Sequence, residues 1–210
     1  MSIKIVIADS SQFKFAECIS QEMANSAKLR GTGIAHRTPE YIQQKMAEGK
    51  AVVAFDDKGT WAGFCYIESW GSGSYVANSG LIVAPAFRNQ GIGKLIKLKI
   101  FELSRSRYPK SKLFGLTTGL AVMKINTELG YKPVTYSELT DDVAFWKGCQ
   151  SCVNFPILES KNYKNCLCTA MVYDPSAQPK SISSIEKLKA QIIKVFPRLK
   201  RLKQRYFLFK

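Results

Sequence analysis

Leu81-Ile82-Val83-Ala84-Pro85-Ala86-Phe87-Arg88-Asn89-Gln90-Gly91-Ile92-Gly93-Lys94 is the stretch that decides how this chain folds. An apolar run that reads as a buried strand enters a loop with the pattern Arg-x-x-Gly-x-Gly, then passes straight into an amphipathic helical period. At such a junction the first helical N–H groups have no intrahelical acceptor, and the helix's partial positive charge gathers at the same end. Gly91 and Gly93 place no side chain between those amides and an approaching anion. A diphosphate is the ligand such a turn suits. The candidate anion-binding residues are Arg88, Asn89, Gln90, Gly91, Ile92, Gly93 and Lys94, with Lys97 adding longer-range attraction. A dinucleotide-binding loop would need a third glycine and an acid about 20 residues on, and a P-loop would need Gly-Lys-Ser/Thr; neither is present. Taken alone, the loop is also compatible with an ordinary strand-to-helix turn whose glycine serves packing.

Working outward, alternating Ile3, Ile5 and Ile7 predict a first strand, and Asp9-Ser10-Ser11 supplies N-cap chemistry for a helix to about Leu29. Arg30-Gly31-Thr32-Gly33 breaks it, and Pro39 opens a second helix ending near Gly49. Residues 51–55 and 61–67 form a hairpin across Asp56-Asp57-Lys58-Gly59, and Gly71-Ser72-Gly73 turns the chain into a strand over 75–83. A helix from Gly91 to about Tyr108, a strand over 113–117, a helix over 122–129 and strands over 131–136 and 166–173 follow. The order β-α-α-β-β-β-α-β-α-β-β predicts an α/β (α+β) fold, a central mixed and mostly antiparallel sheet flanked by helices.

With 46% hydrophobic and 22% charged residues in 210, the chain has the makings of one ordinary core. Its start, MSIKIVIADS, has no basic segment followed by an apolar run and a small-residue cleavage site, and no segment approaches a membrane span. A cytoplasmic location is therefore expected. The net charge of +15 is unevenly held: residues 177–210 carry ten Lys or Arg against one acid, Glu186. The pI thus describes an extension rather than a site.

Val83-x-Pro85-x-Phe87-Arg88-x-x-Gly91-x-Gly93 resembles the coenzyme A signature of the GCN5-related N-acetyltransferases, the GNAT family. Leu129-Gly130-Tyr131 is similar to the Leu-Gly-Phe that ends that family's fourth helix. The resemblance covers residues 1–175 as one acyltransferase domain, with 176–210 as linker and basic amphipathic C-terminal helical extension. It implies a GNAT fold, acetyl-CoA or another acyl-CoA as cosubstrate, and transfer of a short acyl group to an amine. It also implies that backbone groups of Leu81, Ile82 and Val83 pair with the pantetheine arm.

Three further segments resemble the acetyltransferase domain of N-acetylglutamate synthases: Gly33-Ile34-Ala35-His36-Arg37, Leu113-Phe114-Gly115-Leu116-Thr117-Thr118, and Pro133-Val134 with Lys164-Asn165. The amino-acid-kinase domain of many such synthases has no counterpart, so feedback through it is not expected. That likeness implies a small amine acceptor, an amino acid, with glutamate in arginine biosynthesis as one case. Arg37, Thr117, Thr118, Lys164 and Asn165 become substrate candidates, Arg37 because a guanidinium grips a carboxylate with paired N–H groups. The competing assignments are a surface arginine at 37 and helix-capping threonines.

The departures bear on catalysis. Gly119 stands where the synthases have an arginine, Ala77 where they have a glutamate, and Asn126 where many GNAT enzymes have a tyrosine that protonates the thiolate. Glu68 is the candidate base, with Ser79 or Asn78 positioning a water, and Asn126 is retained as a catalytic candidate. A solvated strand-end charge and a helix-surface amide are the plainer alternatives, and His36 reads as a loop residue. A protein or peptide N-acetyltransferase and a non-catalytic CoA-binding regulator are the rival functions.

Cys149, Cys152, Cys166 and Cys168 form CxxC and CxC pairs. Short thiolate spacings suit a structural zinc, but buried free thiols or redox chemistry would use the same residues. Beyond Pro179, Ser183-Ser184-Ile185-Glu186 resembles a capping box, with apolar residues following at helical spacing. Docking on the domain or on a second subunit, as a homo-oligomer, is expected for that stripe; a membrane or nucleic acid is the alternative partner.

Overall fold

Apolar residues at alternating and at three-to-four spacings sort this chain into one sheet and the helices that cover it. The computed structural model of the protein describes residues 2–30 and 35–177. Its strands are β1 (Ile3–Ile7), β2 (Ala51–Asp56), β3 (Trp61–Trp70), β4 (Tyr75–Val83), β5 (Lys112–Thr117), β6 (Lys132–Val134) and β7 (Thr169–Tyr173). They form one sheet in the order β1-β2-β3-β4-β5-β7-β6. Neighbours run antiparallel except β4 and β5, which are parallel. The mixed, mostly antiparallel sheet expected from the element order is therefore present.

The helices are α1 (Ala16–Arg30), α2 (Pro39–Ala47), α3 (Ile92–Arg107), α4 (Leu120–Glu128), α5 (Val143–Lys147) and α6 (Phe155–Ser160). Local chemistry fixes their starts. Asp9 and Gln12 close a capping box, each side chain accepting a backbone N–H at 2.8 Å, and a 3-10 turn over Ser10–Phe15 leads into α1. Thr38 caps α2 ahead of Pro39. Asp56 closes the β2–β3 turn by accepting from the amides of Lys58 at 3.0 Å and Thr60 at 2.7 Å.

Two apolar clusters result. The larger includes Ile19, Met23, Ile42, Met46, Phe64, Ile96, Ile100 and Phe101, where α1, α2 and α3 meet β2–β4. The smaller gathers Phe114, Tyr136, Phe145, Trp146, Leu158 and Val172 over β5 and β7. Among the described residues no helix is long and apolar enough to cross a membrane. The basic stretch beyond Pro179, with its capping box, lies outside the described residues.

Two expected strands are shorter than the apolar runs suggest. The one expected over 131–136 is β6, Lys132–Val134, because Thr135 and Glu138 form a capping box that bends the chain into a 3-10 turn. The one expected from Cys166 begins at Thr169. Cys166 and Cys168 precede it in a turn, where the Tyr136 hydroxyl donates to the Cys168 carbonyl at 3.0 Å. α5 and α6 were not anticipated, since five and six residues are too few to show a helical period.

Candidate active site

β4 and β5 pair only through Tyr75–Ala77 and Lys112–Phe114, then diverge. A bulge on the opposite edge of β4 accompanies the split: Tyr66 pairs with Ser79 and Phe64 with Ile82, so Gly80 and Leu81 together face Cys65. Gly80 adopts φ +65°, and a Cβ there would come within 2.5 Å of the Tyr66 ring, so both backbone and space demand glycine. The split opens a cavity of about 530 Å³. Its walls run from Gly115, Thr117 and Val122 past Asn78, Ser79, Gly80, Leu81 and Lys97 to Arg37, Tyr66 and Glu68.

At the far end of β4, Pro85–Phe87 forms a 3-10 turn and the chain enters α3. Asn89 (φ 59°) and Gly91 (φ 78°) are left-handed. Alternating right- and left-handed residues turn successive amides toward one side, the concave shape that binds anions. The first amide of the helix to find a carbonyl is that of Lys94, at 3.1 Å from Gly91 O; among the described residues the amides of 89–93 donate to no other backbone group. Arg88 does not face this concavity. Its Nη2 pairs with Glu22 at 2.5 Å and its Nε donates to Val83 O at 3.1 Å, so it pins the loop against α1. Lys94 pairs with Glu128 of α4 at 2.6 Å. The concavity is therefore made by the main chain, with both cations engaged elsewhere. Gln90 Nε2 donates to Ala86 O at 3.0 Å, bracing the loop internally. Ile92 is buried in the larger cluster, and Val83 packs beside Gly93.

One end of the cavity is polar and ordered. Arg37 donates from Nε to the Tyr66 hydroxyl at 2.8 Å, from Nη1 to His36 O at 2.8 Å, and from Nη2 to Gly148 O at 3.4 Å. Two residues beyond Tyr66 on the same strand is Glu68, whose carboxylate pairs with Lys45 at 2.9 Å and accepts from Tyr41. Burial holds the Tyr41 phenol far above its ordinary range and pushes that of Tyr66 up to about 12, so both remain donors at neutral pH. A guanidinium and a carboxylate thus line one end of the cleft, each fixed by neighbouring aromatic hydroxyls.

The remaining candidates divide. Ser79, Thr117 and Thr118 line the cleft. Thr117 Oγ1 also accepts the Gly119 amide at 3.0 Å, ahead of α4. Asn78 is directed to the α3 face, its Nδ2 donating to Ser104 at 2.6 Å and its Oδ1 accepting from Tyr131 at 3.3 Å; its side chain is not free to hold a water at Glu68. Asn126 is 1% exposed beneath β5, donating to Met171 Sδ at 3.7 Å, and its Oδ1 has no partner among the described residues. That position is neither a helix surface nor a wall of the cleft. Lys164 and Asn165 are exposed in the turn after α6, apart from the residues that line the cavity.

The cysteines do gather: Cys149, Cys152 and Cys168 line the cleft beside Arg37. Yet among the described residues no group of three or more His, Cys, Asp or Glu is arranged to hold a metal ion. A structural zinc at Cys149, Cys152, Cys166 and Cys168, one of the three readings of those spacings, thus finds no support. Their sulfurs serve the turn instead, Cys152 Sγ accepting the Asn154 amide at 3.3 Å and Cys166 Sγ lying 3.8 Å from Asn154 O. Burial raises the thiols to about 11 at Cys149 and about 12 at Cys168, leaving little thiolate at neutral pH.

Residues 21–121 match the family model described as Acetyltransferase (GNAT) family. Over that segment the chain is similar to the GNAT acetyltransferases, and its fold is the GNAT fold. Among curated proteins no sequence match is found. Similar solved structures include N-acetylglutamate synthase from Neisseria gonorrhoeae complexed with coenzyme A and N-acetyl-glutamate, at 17% identity and TM-score 0.58 over 83% of this chain. This chain spans 35% of that synthase's length. Rv2747 from Mycobacterium tuberculosis, in complex with CoA, is 17% identical with TM-score 0.58, over 81% of this chain and 98% of its own. The ribosomal-protein-S18-alanine N-acetyltransferase from Escherichia coli is 12% identical with TM-score 0.52, over 86% and 99% of the two chains. At these identities the likeness is one of fold.

Several residues of this GNAT cleft escaped the sequence. Tyr66 was recoverable, two residues before Glu68 and so on the same strand face. Lys97 was named only as a distant attraction for the anion; its burial follows from its place four residues after Gly93 on the helical stripe of Ile100, Phe101 and Ser104. Tyr41, Lys45, Phe145 and Gly148 reach the cleft or its carboxylate only through tertiary packing, for which no local pattern exists.

Proposed function

We propose that this GNAT protein transfers an acetyl group, or another short acyl group, from coenzyme A to the amino group of a small amino acid. One observation carries the acceptor class. The cavity that begins where β4 and β5 part ends at a fixed guanidinium, Arg37, and a fixed carboxylate, Glu68. An α-amino acid presents the complementary pair, a carboxylate and an ammonium. The unpaired edge of β4 beyond Ala77 suits the amides of a pantetheine arm, and the main-chain concavity at 89–93 suits its diphosphate.

In this account Arg37 orients the acceptor's carboxylate through its remaining N–H. Glu68, charged and braced by Lys45, attracts the ammonium and receives its first proton, directly or through a water near Ser79. Backbone N–H groups along the bulge polarise the thioester carbonyl. Glutamate is the first acceptor to try, by resemblance to the synthases, and its use would fit arginine biosynthesis in the cytoplasm. Thiol release from acetyl-CoA with each of the twenty amino acids tests this directly. Turnover with one or a few of them is expected. Turnover only with peptides would move the protein to the peptide-acetylating class, and CoA binding without any turnover would make it a CoA-responsive binding protein.

A further inference from the structure

Lys97 lines the cleft, can carry a proton, and has no part in the proposed transfer as described so far. It is 2% exposed, among the largest fully enclosed side chains, and it reaches the cavity from α3. Its Nζ lies 3.5 Å from the carbonyl of Asn78, the first residue of β4 beyond the last β4–β5 pair, so the amine sits at the apex of the split. The described ion pairs take in Lys45, Lys50, Arg88, Lys94 and Lys112, and none of them includes Lys97.

The groups facing Lys97 are neutral. From β3 comes Cys65, whose thiol donates to Ser79 O at 3.3 Å and is raised to about 11 by burial. Tyr131, after α4, puts its ring face 5.5 Å from Nζ and keeps its hydroxyl proton for Asn78. From β4 and α3 come the Asn78 amide and the Ser104 hydroxyl, which bond each other. An ammonium enclosed by such groups has lost its water and gained no counter-charge, and burial accordingly lowers the Lys97 pKa from 10.5. Structural stabilisation is a poor reason to keep an amine here, because an apolar side chain of equal length would fill the space at less cost.

We propose that Lys97 carries the proton from the attacking nitrogen to the departing sulfur. The inference rests on the β4–β5 split being the CoA site. Once the acceptor ammonium has given its first proton to Glu68 or solvent, the neutral R–NH₂ attacks the thioester carbon. The N–C bond forms, the C–S bond breaks, and its electron pair leaves on sulfur. Neutral Lys97 accepts the second nitrogen-borne proton and, as an ammonium, delivers it to the thiolate. The products are the amide and CoA–SH, and Lys97 ends neutral as it began. A single group thus does the work of separate base and acid.

Lys97→Met keeps the stem and removes the amine; Lys97→Arg keeps a cation that cannot shed its proton. Both are to be compared with the wild-type chain for CoA affinity by calorimetry, thermal unfolding, and kcat against pH, using acetyl-CoA with an equimolar mixture of the twenty amino acids. The expected result is CoA affinity within about threefold of wild type and undiminished melting for Lys97→Met. Its kcat falls about 100-fold or more and its pH profile loses the rising limb, with Lys97→Arg equally slow. Wild-type-like kcat and pH profile in Lys97→Met, with the wild type active, would overturn the Lys97 role alone. A wild-type chain that fails to take up CoA or to turn over any amine would overturn the CoA-site account and this role with it.

Discussion

The turn at residues 88–93 and the cleft wall at residues 135–168 are built by opposite means. The first is main chain: a left-handed asparagine and glycine, a run of amides without carbonyl partners, and a 16-residue helix behind them. The second is side chain. A five-residue helix is held by Phe145 against Trp70 at 4.9 Å and against Phe114 at 5.5 Å, and by Trp146 stacked on Tyr136 at 5.9 Å. In the proposed function the backbone-built site binds what every acyl-CoA has in common. A wall of aromatic rings and thiols can be reshaped without disturbing that grip, which suits the part that chooses the acceptor.

Charge placed in the first region gives the largest expected separation. In Gly93→Asp the new Cβ meets Val83 Cγ2 at an ordinary 3.5 Å, and an acid in the first turn favours the helix dipole. Its stability should hold or rise, while CoA affinity falls by about 100-fold, roughly 3 kcal/mol, measured by calorimetry. Phe145→Ala should do the reverse, destabilising the fold by about 3 kcal/mol in denaturant melts and raising the acceptor KM with CoA affinity unchanged. If it weakens CoA equally, the two regions are not independent.

Arg37 belongs with the second region, since it lines the cleft and donates to Gly148. Arg37→Ala should raise the acceptor KM about tenfold or more, a loss of about 1.4 kcal/mol, with smaller change in kcat. An unchanged KM would remove the carboxylate clamp.

A smaller effect concerns stability and pH. The folded-state pKa of Lys97 is below its unfolded 10.5, so the unfolded chain holds more protons between those values and stability from this group rises with pH up to about 10.5. Lys97→Met should therefore raise Tm by about 3 °C near pH 7, with the gain shrinking as pH approaches 10.5. The smallest effect is expected at Cys152→Ala, about 1 kcal/mol or less, with no zinc released on unfolding in a chelator assay.

How much of this was legible in the sequence follows the same division. Glycine spacing, a capping box at Asp9 and Gln12, and alternating Ile3, Ile5 and Ile7 act within a few residues, so strands, helices and the anion loop could be read directly. Arg88 was placed in the loop, but its turn toward Glu22, 66 residues away, is a tertiary fact. Glu68 was found without Lys45 or Tyr41, because a strand shows which face a residue shares and not which helix covers it. Asn126 looked like helix surface or a catalytic group. Only the packing of α4 under Gly115 and Met171 reveals a buried amide. The segment over 135–168 has no period to read, and its thiols suggested a metal that its geometry does not support.

Amide chemical shifts of the isotope-labelled protein titrated with CoA test the main-chain grip most directly. The account predicts saturable binding with the largest shifts at the N–H groups of residues 89–93 and along 80–83, and loss of those shifts in Gly93→Asp. Saturable binding that leaves 89–93 unmoved, or no binding at all, would contradict it.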